Sequence, residues 1–243
     1  MKKVLIALLI FFGVERFCHW QTAGFRPYKI AFCEQNHKEP CPEDVSKILN
    51  QSFHFLGAGK QFYAFESHDG TVVLKFLKGR RKSAPNVRQS AALAYALLKD
   101  EASLVYQSHH HFSKPALLYD KLGIEHTIDL NQCEFFIQRK ASPFHVTPTT
   151  IDALLAMVFS QCQKGIANCD PMIERNFGIV DGKAVLVDFG SLQKKSHLKT
   201  PQGIWSELFL ELLPLRELIQ EKHPHLLHYF DEEFKAYIYN RKV

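Results

Sequence analysis

The chain has 243 residues, 46% hydrophobic and 12% aromatic, with a formal net charge of +5. That is enough apolar material for one large domain or two smaller lobes, and it excludes a disordered or low-complexity chain. Lys and Arg are dispersed apart from "KGRRK" (78–82), which reads as a solvated loop, so no nucleic-acid partner is expected.

"MKK" opens the chain and the apolar run "VLIALLIFFGV" (4–14) follows. That run has the length of a signal-peptide hydrophobic region and falls short of the ~20 residues of a membrane span. The flank "ERFCHWQTAG" is a poor cleavage site: Gln21 is too large two places before a cut after Ala23. Residues 1–23 are therefore read as a targeting or anchoring segment, with membrane association through residues 4–14, whether or not it is removed. Of the six cysteines, Cys33 and Cys41 bracket a short polar loop and can pair in an oxidising compartment. No C-x-x-C spacing occurs, which argues against a zinc ribbon. The triplet His109-His110-His111 is a poor single metal site, because adjacent side chains point in different directions.

Next, "PEDVSKIL" (42–49) reads as a short helix with Pro42 at its first turn. "FHFLGAG" (53–59), "QFYAFES" (61–67) and "TVVLKFL" (71–77) read as three antiparallel strands. Residues 86–107 carry Val87, Ala91, Ala94, Tyr95, Leu98, Ala102 and Val105 at helical spacing, predicting a helix of about six turns. Segments 116–130 and 133–141 read as two more strands, broken by "SPF" (142–144). Residues 149–165 form an amphipathic helix with Thr149 or Thr150 as its cap and Gly165 at its end. A loop (166–176) leads into a hairpin (177–190) turning at Asp181-Gly182. Helices at 202–213, 215–222 and 226–239 complete the chain, the first two separated by Pro214. The order is strand-rich and then helix-rich, with a junction near 141–148, which predicts an α+β protein of two lobes.

Three separated pieces of this pattern resemble the protein-kinase-like superfamily. Leu56-Gly57-Ala58-Gly59 matches the opening of the family's glycine loop, although Phe62 and Ala64 stand in its later glycine and valine slots. Val73-Leu74-Lys75 matches the lysine strand. Asp170 through Asn176, followed by Asp188-Phe189-Gly190, matches the catalytic loop and D-F-G. The resemblance covers about residues 50–192 and implies a compact, divergent, bacterial-type member. Its β-rich N-lobe spans 24–141 with one helix, and its short, mostly helical C-lobe spans 142–243.

The resemblance implies a site. Gly57 and Gly59 let backbone approach triphosphate oxygens and offer N–H groups. Lys75 holds the α/β-phosphates, with Glu101 as its helix glutamate. Asn176 and Asp188 hold Mg²⁺, an oxygen pair suited to an ion that takes few protein ligands plus phosphate and water. Asp170 takes up the proton of the acceptor hydroxyl. The implied partners are ATP, Mg²⁺ and an acceptor that is either a protein or a small molecule. Departures are plain: five residues rather than four separate Asp170 from Asn176, "NCD" replaces His-Arg-Asp, Met172 replaces a lysine, and no Ala-Pro-Glu follows.

Two alternatives stand beside a phosphotransferase. One is a pseudokinase serving as a membrane-associated or exported binding module. The other is an unrelated exported α+β protein. An active kinase further implies a domain on the cytoplasmic face of a membrane, or one delivered into another cell, because ATP is scarce elsewhere.

Overall fold

The structure, a computed structural model, describes residues 2–31, 41–79, 84–108 and 115–240. Cys33, residues 80–82 of the basic run and His109 to His111 lie outside the described residues. Helices α1 (Lys2–Gln21) and α2 (Glu43–Leu49) precede strands β1 (Ser52–Ala58), β2 (Phe62–Ser67) and β3 (Val72–Leu77). Helix α3 (Ala84–Leu97) leads to β4 (Leu104–Gln107), β5 (Ala116–Tyr119), β6 (Glu125–Ile128), β7 (Phe135–Arg139) and β8 (Ser142–Pro143). Then come α4 (Pro148–Gln163), β9 (Ile166–Asn168), α5 (Ile173–Asn176), β10 (Phe177–Val180), β11 (Lys183–Leu186) and β12 (Leu192–Lys194). Helices α6 (Pro201–Lys222) and α7 (Leu227–Asn240) follow. The protein is α+β, strand-rich in its N-terminal region and helical in its C-terminal region.

The chain divides into two compact units. The first comprises Met1–Ala84 and Tyr106–Gln138, the second Pro85–Val105 and Arg139–Val243. Helix α3 thus belongs with the helical unit, whereas the sequence reading grouped it with the strands.

The first unit is built on a seven-stranded sheet of order β4-β7-β3-β2-β1-β5-β6. The three strands expected between 53 and 77 are present and antiparallel. The expected single strand over 116–130 is instead a hairpin, β5–β6, with β5 parallel to β1. It turns because the Asp120 carboxylate accepts the amides of Leu122 and Ile124 and pairs with His126. One sheet face is an aromatic core: Phe53, Phe65, Phe76 and Phe135 are fully buried, and Phe25 sits edge-on to Tyr63 and Phe65 at 5.1 Å each. Each such ring contributes about 1.5–3 kcal/mol by leaving water. Helix α1 exposes Phe11, Phe12, Val14, Phe17 and Trp20. Among the described residues no helix is long and apolar enough to cross a membrane.

In the second unit α3 ends at Leu97, ten residues before the sequence pattern suggests. Ser103 adopts a left-handed φ of 48°, and Leu104 to Gln107 continue as β4, so Val105 lies on a strand. The small, helix-forming run 90–98 favours helix, and the β-branched and aromatic "LVYQ" favours strand. Helix α4 buries the expected stripe of Ile151, Leu154, Leu155, Val158, Phe159 and Cys162. Its cap is Thr147, with Pro148 next and Thr150 closing a reciprocal capping box, so Thr149 and Thr150 are not the cap. Pro214 lies inside one continuous helix, α6, rather than between two. Leu208, Leu212, Leu215 and Ile219 are buried on both sides of it, and that burial outweighs the lost backbone bond. Phe159 stacks on Trp205 of α6 and meets Tyr237 of α7 edge-on.

Candidate functional site

The site residues of the second unit lie on one hydrogen-bonded frame. The β10–β11 hairpin forms as expected, with Asp181 at φ 50° and Gly182 at φ 75° making the two-residue turn. Its register pairs Phe177 with Leu186, which brings Asn176 and Val187-Asp188 side by side. The Asn176 carbonyl accepts both Val187 N–H (2.7 Å) and Asp188 N–H (3.3 Å). Gly178 is glycine for want of room: a Cβ there would sit 2.7 Å from Ala141 Cβ and 2.8 Å from Ser142 O.

Residues 170–176 are held by local bonds. The expected loop over 166–176 contains β9, which pairs antiparallel with β12, and the short helix α5. Met172 N–H donates to Asp170 O (2.9 Å) in a tight turn, and Asn176 N–H donates to Met172 O (2.9 Å). The buried Asn176 side chain reaches back, Nδ2 donating to Asp170 O at 2.7 Å. That bond turns the amide so that Oδ1 is its remaining acceptor. Asp188 Oδ1 accepts Gly190 N–H at 3.0 Å, which leaves Oδ2. Both remaining acceptors are hard oxygens, the kind of ligand Mg²⁺ takes. Asp170 itself is exposed, and its N–H donates to Asn168 Oδ1 at 3.1 Å.

Beneath this frame lies an acid that sequence reasoning missed. Glu211 of α6 is 2% exposed. Its carboxyl accepts Asn168 N–H at 2.8 Å and Gln161 Nε2 at 2.9 and 3.0 Å. Burial, together with the nearby Glu207, pushes its carboxyl up to about 8, against the lowering pull of the Asn168 and Gln161 bonds. Gln161 Oε1 is buried without a partner. A half turn of that amide lets it accept the proton of neutral Glu211. No motif marks Glu211: in sequence it sits on an amphipathic helix like any surface glutamate. Ser90 of α3, buried and bonded to the 189–192 segment, was likewise invisible.

Glu101 is engaged within the second unit. It lies past the end of α3, where its carboxylate accepts Ser160 Oγ at 2.7 Å and pairs with Lys164 of α4. Burial pushes its carboxyl up, but the Lys164 and Ser160 bonds win and hold it below the usual range. Glu101 therefore ties the 99–103 turn to α4. The helix that was to present it stops four residues earlier.

In the first unit, the β-sheet register sets Gly57 opposite Ala64 and Ala64 opposite Lys75. The three share one row and one face, and the outer two are about 10 Å apart at the usual strand spacing. Lys75 is 7% exposed, and β3 is an interior strand between β7 and β2. Gly57 follows a bulge at Leu56, and a Cβ at Gly57 or Gly59 would meet nothing within 4 Å. Neither glycine has a positive φ. The fold itself thus gives no steric reason for glycine at either position. Gly59 departs from expectation in one respect: its N–H donates to Phe62 O at 3.0 Å and its carbonyl accepts Lys78 Nζ at 2.6 Å. Its amide is spent closing the turn, so it supplies open space and no donor.

No family model matches the chain. No curated protein matches it. Among solved structures it aligns with WbdD co-crystallised with a kinase inhibitor, at 16% identity and a TM-score of 0.39. The alignment covers 74% of this chain and 45% of that one, so the chain spans under half the length of its structural match. A likeness that distant adds no weight to the site described above.

Proposed function

We propose that the protein is a kinase-like phosphotransferase acting with ATP and Mg²⁺ on a hydroxyl acceptor. One observation carries this reading: a single backbone frame holds Asp170, Asn176 and Asp188. Asn176 Oδ1 and the Asp188 carboxylate hold the cation, which supplies charge neutralisation at the phosphates when bound. Exposed Asp170 receives the proton of the acceptor hydroxyl. As that hydroxyl oxygen bonds to the γ-phosphorus, the bridge to the β-phosphate breaks and ADP leaves. Lys75 neutralises phosphate charge, and the Gly57 backbone lies bare enough for phosphate to approach it.

Gly57→Ala tests the glycine assignment. The site has room for a methyl group, so the thermal midpoint is expected to stay within about 2 °C, consistent with a ΔΔG under ~0.5 kcal/mol. ATP affinity, read by calorimetry with Mg²⁺, is expected to fall about tenfold. Unchanged affinity in a folded Gly57→Ala would remove the glycine loop from the proposal. Wild type that binds ATP and Mg²⁺ but moves no phosphate to any acceptor, water included, would leave a binding module.

A further inference from the structure

Some buried polar groups take no part in the proposed reaction. Ser90 is 1% exposed and sits midway along α3. Its hydroxyl donates to Phe189 O at 2.5 Å and accepts Leu192 N–H at 2.6 Å. A hydroxyl is among the few side chains that can do both from one oxygen. These two bonds grip the chain on either side of Gly190, whose own N–H is bonded to Asp188 Oδ1 at 3.0 Å.

The surroundings make that grip matter. Gly190 to Lys194 line an open cavity of about 430 Å³ together with Asn86, Gln89 and Leu93 of α3. On that side the segment meets a cavity, not packed side chains. Its polar contacts include the short β9–β12 pairing, Cys169 N–H donating to Ser191 O, and the two bonds of Ser90. Val87, Ala91 and Ala94 flank Ser90 on the buried face of α3, and the two alanines leave room for the backbone to come this close.

We propose that Ser90 is a positioning residue for the cation site: by clamping Phe189 and Leu192 it fixes the Asp188 carboxylate. The proposal rests on the phosphotransferase reading for the identity of the cation, but the clamp has its own readout. Ser90→Ala leaves one acceptor and one donor without their bonds and lets the segment move into the cavity. Ser90→Thr keeps the hydroxyl.

The test joins hydrogen exchange with Mn²⁺ titration followed by electron paramagnetic resonance, on the full chain with ATP. In Ser90→Ala, the Leu192 amide is expected to exchange at least about tenfold faster while the amides of α4 keep their protection. Mn²⁺ affinity is expected to fall about tenfold, the usual scale for loss of a residue that orients a metal ligand. Ser90→Thr is expected to restore both. A folded Ser90→Ala that keeps Leu192 protection and Mn²⁺ affinity overturns the proposal. If Ser90→Ala does not fold, Ser90→Thr decides: loss of Leu192 protection there overturns the clamp, and retention supports it. If wild type binds no Mn²⁺ with ATP, the phosphotransferase reading fails, and positioning of a cation ligand fails with it. Leu192 exchange then still reports whether the clamp exists.

Discussion

Glu211→Gln is expected to be more stable than wild type at pH 8, by on the order of a few kcal/mol, and to match it near pH 4.5. The Glu211 carboxyl titrates at about 8 in the folded chain, against an ordinary value of 4.5. Between those values the native protein keeps a proton that the unfolded chain has released. Glu211 therefore contributes its full stability below about 4.5. That contribution is lost as pH rises through about 8, with a slope approaching ~1.4 kcal/mol per pH unit. A glutamine cannot ionise, and its Oε1 still accepts Asn168 N–H, so that slope should vanish. Glu211→Ala should be about 2–4 kcal/mol less stable than Glu211→Gln at any pH, because it opens a cavity and strands Asn168 N–H and Gln161 Nε2. Urea unfolding from pH 5 to 9 measures all three. Parallel pH profiles for wild type and Glu211→Gln would mean that Glu211 is ionised in its pocket.

Asp170→Asn is expected to lower phosphoryl transfer by about 10²–10⁴-fold, the usual contribution of a positioned base. ATP affinity should stay unchanged, because the bonds that fix residue 170 are made by its backbone, to Asn168, Met172 and Asn176. The neutral amide keeps those bonds and loses only the ability to take a proton. The readout is ADP formation with water or hydroxyl compounds as acceptors. Equal turnover by Asp170→Asn would exclude Asp170 as the base. Lost ATP affinity would place the residue in binding instead.

Much of this was legible in the sequence, for reasons that differ by element. The strands at 52–77, the stripe of α4 and the Asp181-Gly182 hairpin follow from alternation, helical spacing and turn chemistry, which act locally. The misread elements were decided by tertiary contacts. Helix α6 runs through Pro214 because leucines on both sides are buried, and α3 stops early because the chain turns at Ser103 to enter the sheet. Candidate site residues, such as Asp170, Asn176 and Asp188, could be proposed from order and spacing. Glu101 is the only glutamate in the helix expected over 86–107, and α3 stops four residues short of it. Ser90 and Glu211 could not be named at all. Ser90 bonds to residues 99 and 102 positions away, and Glu211 to residues 43 and 50 positions away.

Asp188 is proposed to bind a cation that carries ATP. A thermal-shift titration of wild type, Asp188→Ala and Lys75→Ala with ATP, with and without Mg²⁺, tests it most directly. With nucleotide at about 100 times its dissociation constant, wild type should gain about 2.7 kcal/mol. Asp188→Ala should lose the Mg²⁺-dependent part of that gain, and Lys75→Ala should need more ATP to reach it. No shift of wild type at millimolar ATP and Mg²⁺, or the same Mg²⁺-dependent shift in Asp188→Ala, would contradict the assignment.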